Sequence, residues 1–129
     1  MFVKIALPLV DRSSFVKPGE EIAPGIWAID AAGHSPGMLA YHIESDGKRL
    51  LICADSCVHY VMAIQRPQWH LDVDDDKDKA VATCRRILSM AAAEKPFVAG
   101  FHMPFPGLGF VEQAAGGYRW VPVSYQLNL

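Results

Sequence analysis

Three times in this chain an apolar, strand-like run ends on a side chain able to hold a proton or a cation. Ile26-Trp27-Ala28-Ile29-Asp30-Ala31 leads into Gly33-His34-Ser35-Pro36-Gly37, Leu50-Leu51-Ile52-Cys53-Ala54 ends on Asp55, and Phe97-Val98-Ala99-Gly100 leads into His102. A side chain at the end of a strand is held in place by the whole sheet. The pattern therefore asks for a fold in which three strand ends share one rim, and ligands gather at the carboxyl ends of strands in α/β layers.

The remaining segments supply the sheet around those runs. Lys17 to Gly25 carries Pro18-Gly19 and Pro24-Gly25 on either side of a short extended piece, as two turns would. Met38 to Glu44 reads as a strand, Ser45-Asp46-Gly47-Lys48 as a hairpin turn, and Arg49 to Ala54 as the returning strand. That return is almost continuously apolar, which implies burial on both faces. Ser56 to Leu71 is interrupted by Pro67 and reads as loop with a short helical piece.

A helix is expected from Asp76 to Glu94. Asp74, Asp75 and Asp76 offer a cap and negative charge at its start. Val81, Cys84, Leu88, Ala91 and Ala92, with Ile87 beside them, recur at helical spacing, so one face is buried. Pro96 stops it. Tyr118 to Tyr125 reads as one or two closing strands. The sum is an α/β chain (an α+β half-sandwich): a mostly antiparallel sheet with one long helix on one face, in a single domain spanning residues 1–129. Nothing in the sequence covers the other face of that sheet.

Composition sharpens this point. With 129 residues, 51% of them hydrophobic, and a mean hydropathy of +0.13, the chain is apolar for its size, since small domains have much surface for little volume. A second copy of the chain, giving a homo-oligomer, is the expected cover. A net charge of −2 with scattered Lys and Arg provides no electrostatic footprint for nucleic acid. No apolar run reaches the roughly 18 residues of a membrane span. Met1 to Val10 has some signal-peptide character, but Lys4 and Pro8 break its apolar core. It reads as the tail of a buried element, and a cytoplasmic location is expected. Cys53, Cys57 and Cys84 have no zinc-finger or redox spacing and read as reduced cysteines acting as small hydrophobes.

Gly33 and the Ser35-Pro36-Gly37 turn would hold His34 in a rigid loop, as a metal ligand requires. Taken alone, His34 reads more readily as a turn histidine facing water, and the joint pattern with Asp55 and His102 reverses that preference. Asp55 is either a cap for Ser56-Cys57-Val58 or a carboxylate that bridges two cations. His102 precedes the stiff apolar loop Met103-Pro104-Phe105-Pro106-Gly107-Leu108-Gly109, a candidate pocket wall. Two imidazoles and a carboxylate suit Zn²⁺ or a similar ion, and a two-metal site would polarise an ester or phosphoester oxygen. No residue is read as catalytic in its own right. His59, Met103 and Phe105 are candidate pocket residues, with Trp69-His70 also near by chain order. Asp72-x-Asp74-x-Asp76 begins like a calcium loop, but Lys77 stands where the turn glycine is needed and Thr83 where the final Glu is needed. That acidic run reads as helix-start charge.

From about Leu7 to Tyr125 the chain resembles the C-terminal half of a metallo-β-lactamase-fold hydrolase, in the branch of methyl-parathion-hydrolase-like and lactonase-like enzymes. The strings that carry the resemblance are Ile22-Ala23-Pro24-Gly25-Ile26-Trp27, Gly33 to Gly37, Leu50 to Asp55, the Asp74 to Leu88 helix start with Arg85 and Arg86, and His102 to Gly109. It implies half of an αββα sandwich. It also implies Zn²⁺, with His34 on the first metal, Asp55 bridging both and His102 on the second. The chain departs from the family in having no His-x-His-x-Asp-His motif, with only 33 residues before His34, and in having Met38 where relatives commonly carry a His.

Three ligands split between two metal positions imply weak or no zinc binding and little or no hydrolysis by this chain alone, as in a truncated product. Two other readings remain open. One is an active hydrolase of lactones, esters or organophosphates completed by another chain. The other is a non-catalytic binding module that uses the Met103 to Leu108 loop.

Overall fold

The structure, a computed structural model, describes residues 2–123, with side chains from residue 4 onward. Among the described residues seven strands form one sheet in chain order: β1 Glu21–Ala23, β2 Ile26–Asp30, β3 Leu39–Ser45, β4 Lys48–Ile52, β5 Phe97–Ala99, β6 Leu108–Ala114 and β7 Gly117–Pro122. Every neighbouring pair is antiparallel except β4 and β5. That parallel step needs a crossover connection, which contains α2 (Met62–Gln65) and α3 (Lys77–Glu94). A third short helix, α1, spans Phe2–Ile5.

Local chemistry accounts for most of these boundaries. Asp46 and Gly47 both take positive φ, 49° and 71°, as a two-residue hairpin turn demands. Asp76 caps α3 by accepting a hydrogen bond from the Lys79 N–H at 3.0 Å, and Lys95 ends the helix in a left-handed conformation at φ 53°, immediately before Pro96. The closing hairpin β6–β7 begins earlier than the sequence suggested, at Leu108, because Leu108 and Gly109 pair with β5 on one side while Gly109 to Ala114 pair with β7 on the other. The expected strand end at Ser124 and Tyr125 lies outside the described residues.

One sheet face is packed. Ala40, Leu51, Val98, Val111 and Trp120 lie on it and form a buried cluster with Cys84, Ile87, Leu88 and Ala91 of α3. Val81, expected in the stripe, is half-buried, and Thr83 is buried in its stead. The register places three further rows on the opposite face: Tyr41, Ile52, Ala99 and Leu108; Ile43, Leu50 and Phe97; and Phe110 with Val121. All of these are only half-buried. Phe97 and Phe110 lean on each other with ring centroids 4.8 Å apart.

This corrects the expectation that β4 is buried on both faces. Leu51 is 1% exposed, but Leu50 and Ile52 are half-buried, because α3 covers one side and no described residue forms a layer over the other. The N-terminal segment is corrected too. Ile5, Leu7, Leu9 and Val10 are exposed, so the described part of that segment is not the tail of a buried element. Its short helical turns contact little besides each other. No helix among the described residues is long and apolar enough to cross a membrane.

Candidate functional site

The loop after β2 is stitched to the start of α3. The Asp75 and Asp76 N–H groups donate to the carbonyls of His34 and Gly33 at 3.2 and 3.0 Å. The Thr83 hydroxyl donates to the Ala32 carbonyl at 2.7 Å, and the Arg86 guanidinium donates to the Asp30 carbonyl. Gly33 sits at φ 141°, where a Cβ would fall within 2.8 Å of the Lys79 carbonyl carbon and closer still to the Ala80 backbone. Only glycine allows this approach.

Asp55 follows β4 by three residues. The Cys53 N–H donates to the Ala99 carbonyl at 3.1 Å, which carries the β4–β5 ladder past the end of β4. A single 3-10 turn, Ala54–Ser56, then turns Asp55 onto the rim. His102 follows β5 in a loop closed at its neck by Gly100 N–H to the Gly107 carbonyl at 2.8 Å. Met103, 8% exposed, plugs into the core over Gly100, in the same buried cluster as Cys53, which leaves the preceding His102 facing outward.

The three side chains meet. His102 Nε2 lies 3.0 Å from Asp55 Oδ1, and His34 Nε2 lies 3.9 Å from Asp55 Oδ2. The far nitrogen of His34, Nδ1, lies 2.9 Å from Asp74 Oδ1, and that carboxylate's other oxygen accepts the Leu71 N–H at 2.7 Å. The Asp74 side chain is 7% exposed, against 25% for His34, 40% for Asp55 and 42% for His102. A cleft beside them is lined by His34, Asp55, Asp74, Trp69 and His70. The site is thus a solvent-facing rim with one buried acidic anchor.

No family model matches the sequence, and no curated protein matches it. Solved structures do. AidC, a dizinc quorum-quenching lactonase, superposes with a TM-score of 0.81 at 30% identity over 87% of this chain and 38% of its own. The hydrolase AbOPH of the β-lactamase superfamily superposes with a TM-score of 0.86 at 28% identity, over 95% of this chain and 43% of its own. This chain is a partial metallo-β-lactamase-fold domain. A probable metal-dependent hydrolase from Staphylococcus aureus shares the same fold, with a TM-score of 0.64 at 19% identity over 84% of this chain and 39% of its own. The metallo-β-lactamase-fold region present here therefore spans about two-fifths of the length of these neighbours.

Whether the residues suit a metal pair can be tested on their spacing. Two donors about 2.1 Å from one tetrahedral ion stand roughly 3.4 Å apart. The two imidazole-to-carboxylate separations, 3.0 and 3.9 Å, bracket that value. Donor chemistry and spacing suit zinc, but the number of donors does not. Each oxygen of Asp55 faces one imidazole, so each position has two protein donors where a closed zinc site has four. Among the described residues no group of three or more His, Cys, Asp or Glu is arranged to hold a metal ion. These residues do not make a complete metal site, and no metal-dependent step follows from them alone.

The other sequence candidates lie elsewhere. His59 is exposed, and its Nδ1 accepts the N–H groups of Val61 and Met62 at 3.1 and 3.3 Å, as a cap for α2. Phe105 is 97% exposed, and Met103 points into the core. None of the three lines the cleft beside His34, whereas Trp69 and His70 do. His42 stands against Trp27 in the sheet, ring centroids 5.7 Å apart. Sequence reasoning assigned Asp74 to helix-start charge and so missed its contact with His34. The signal available was an acidic run two residues longer than one cap needs.

The three thiols are free and buried. Burial pushes the Cys53 thiol up to about 11. Cys57 is pushed up by its hydrogen bond with Cys84, across 3.4 Å between sulfurs, and by burial. All three pack as small apolar side chains in the buried cluster.

Proposed function

We infer that the chain is the second, ligand-bearing part of a metal-dependent hydrolase of the metallo-β-lactamase fold, and that these 129 residues alone do not hydrolyse substrate. One observation carries the reading: two imidazoles from separate loops converge on the two oxygens of one carboxylate. In this reading His34 belongs to one metal position, His102 to the other, and Asp55 to both. The ion is Zn²⁺, by likeness to a dizinc neighbour. The substrate class is a lactone, ester or organophosphate, again by likeness to a lactonase.

The bare sheet face supports a second element of the reading. Its rows from Tyr41 to Phe110 are apolar and uncharged, so nothing in them repels an identical surface. A second copy of the chain covers that face in an isologous contact. Light scattering on the eluted protein at micromolar concentration reads a dimer, and Phe97→Glu at the centre of the face reads a monomer. A monomeric native protein removes this part.

The alternative of an active enzyme is favoured by the same bare face, if the layer that covers it carries a His-x-His-x-Asp-His motif. Metal analysis and turnover separate the two. The reading expects less than one tightly held zinc per chain and no chelator-sensitive hydrolysis from the 129-residue polypeptide. Addition of a separately produced segment bearing that motif raises zinc to about two per assembly. Two zinc ions and turnover from this polypeptide by itself refute the incompetence proposed here.

A further inference from the structure

We propose that Asp74 is a positioning residue that holds His34 in its Nδ1–H tautomer, leaving Nε2 bare and turned toward Asp55. The inference rests on the reading of His34 as a site residue, and its test does not use metal or turnover.

The argument starts from what Asp74 can do. An ionised carboxylate only accepts hydrogen bonds. One of its oxygens is taken by the Leu71 N–H at 2.7 Å, which anchors the carboxylate to its own loop. The other stands 2.9 Å from His34 Nδ1. A proton must lie between that oxygen and that nitrogen, so Nδ1 carries it, and a neutral imidazole then has its lone pair on Nε2. The side chain of Asp74 is 7% exposed, so water cannot take its place at Nδ1 as it could at the rim.

The backbone reinforces the assignment. Carbonyls of Gly33 and His34 accept the N–H groups of Asp76 and Asp75, so the two loops are clamped immediately beside the His34–Asp74 contact. The ring has little freedom to turn over and offer Nε2 to Asp74 instead. On the other side, Nε2 faces Asp55 Oδ2 at 3.9 Å, beyond hydrogen-bond length. A histidine whose Nδ1–H donates to a fixed carboxylate is held in one ring orientation and one tautomer. Forty residues separate His34 from Asp74, and Asp74 does not serve as the cap of α3, since Asp76 does that.

Nitrogen NMR on protein labelled at its histidines reads the tautomer directly, at a pH where the ring is neutral and with no metal added. The native chain is expected to show a protonated-type Nδ1 and a bare-type Nε2 for His34. In Asp74→Asn the amide oxygen keeps the Leu71 N–H, so the amide N–H₂ faces Nδ1 and the pattern inverts to Nε2–H. In Asp74→Ala neither tautomer is selected, and the two nitrogens move toward averaged shifts. Unchanged signals from His42 and His102 show that the fold is intact in each variant. If that fold control fails in Asp74→Asn, the native spectrum and Asp74→Ala decide.

A native His34 that is Nε2–H or a tautomer mixture overturns the proposal, as does a folded Asp74→Asn or Asp74→Ala with the native pattern. Zinc analysis of the native protein, run in parallel, reports on the functional reading separately. Either result can fail without the other.

Discussion

His102 Nε2 lies 3.0 Å from Asp55 Oδ1, although 47 residues separate the two. The contact exists because β4 and β5 are parallel neighbours, with Ile52 opposite Ala99. Parallel strands end at the same side of a sheet, so the residues that follow them must share a rim. The other oxygen of Asp55 faces His34, which arrives from β2 through an unrelated loop. A half-exposed carboxylate between two imidazoles contributes little to holding the fold.

His102→Ala tests that statement. With His102 42% and Asp55 40% exposed, an exposed pair of this kind contributes only about 0–1 kcal/mol. Urea denaturation of His102→Ala is expected to move unfolding free energy by less than about 1 kcal/mol. A larger loss assigns the residue to the fold and weakens its reading as a site residue.

Gly33→Ala is expected to be severe. The new Cβ meets the Ala80 backbone, and φ at 141° is itself unfavourable for an L-residue. Neither the strand nor the helix can move without breaking the hydrogen bonds that join them. A loss above about 2 kcal/mol is expected. Gly37→Ala is the control, since φ there is 71° with open space around it, and its cost is expected near 1 kcal/mol.

Thr83→Val preserves shape and removes the hydroxyl that serves the buried Ala32 carbonyl. Leaving a buried acceptor unpaired costs about 1–3 kcal/mol. Amide exchange is the sharper readout: the Asp75 and Asp76 N–H groups, bonded to the same loop, should lose protection together. If stability drops while their exchange stays native, the loop is held by other contacts.

The Cys53 thiol predicts a pH dependence. Its value is raised from 9.0 to about 11 by burial, so the folded state retains a proton that the unfolded state releases. Its contribution is fully present below pH 9 and is lost as pH rises through 11. Cys53→Ala removes the group, so its stability is expected to fall less steeply than that of the native chain between those limits. Parallel slopes for the two proteins would show that the thiol does not drive the loss.

Much of this was legible along the chain. The helix from Lys77 to Glu94, with Asp76 as cap, and the hairpin at Asp46-Gly47 follow from local signals: capping chemistry, helical spacing of Cys84, Leu88 and Ala91, and turn residues that accept positive φ. His34, Asp55 and His102 stood out because each directly follows an apolar run. Where Met103, Phe105 and His59 point was not legible, because whether a loop side chain faces core, water or a helix end depends on neighbours that are not adjacent in sequence.

The amino-acid order by itself determined the long helix and its cap, the hairpin at Asp46-Gly47, and which polar groups follow β2, β4 and β5, since spacing, caps and turns are set within a few residues. Only the tertiary structure decided that Asp74 reaches back forty residues to His34, and that β4 has one buried face instead of two. Both depend on which surfaces meet. An apolar strand carries the same pattern whether or not a second layer covers it, and a carboxylate carries the same charge whether it caps a helix or orients an imidazole.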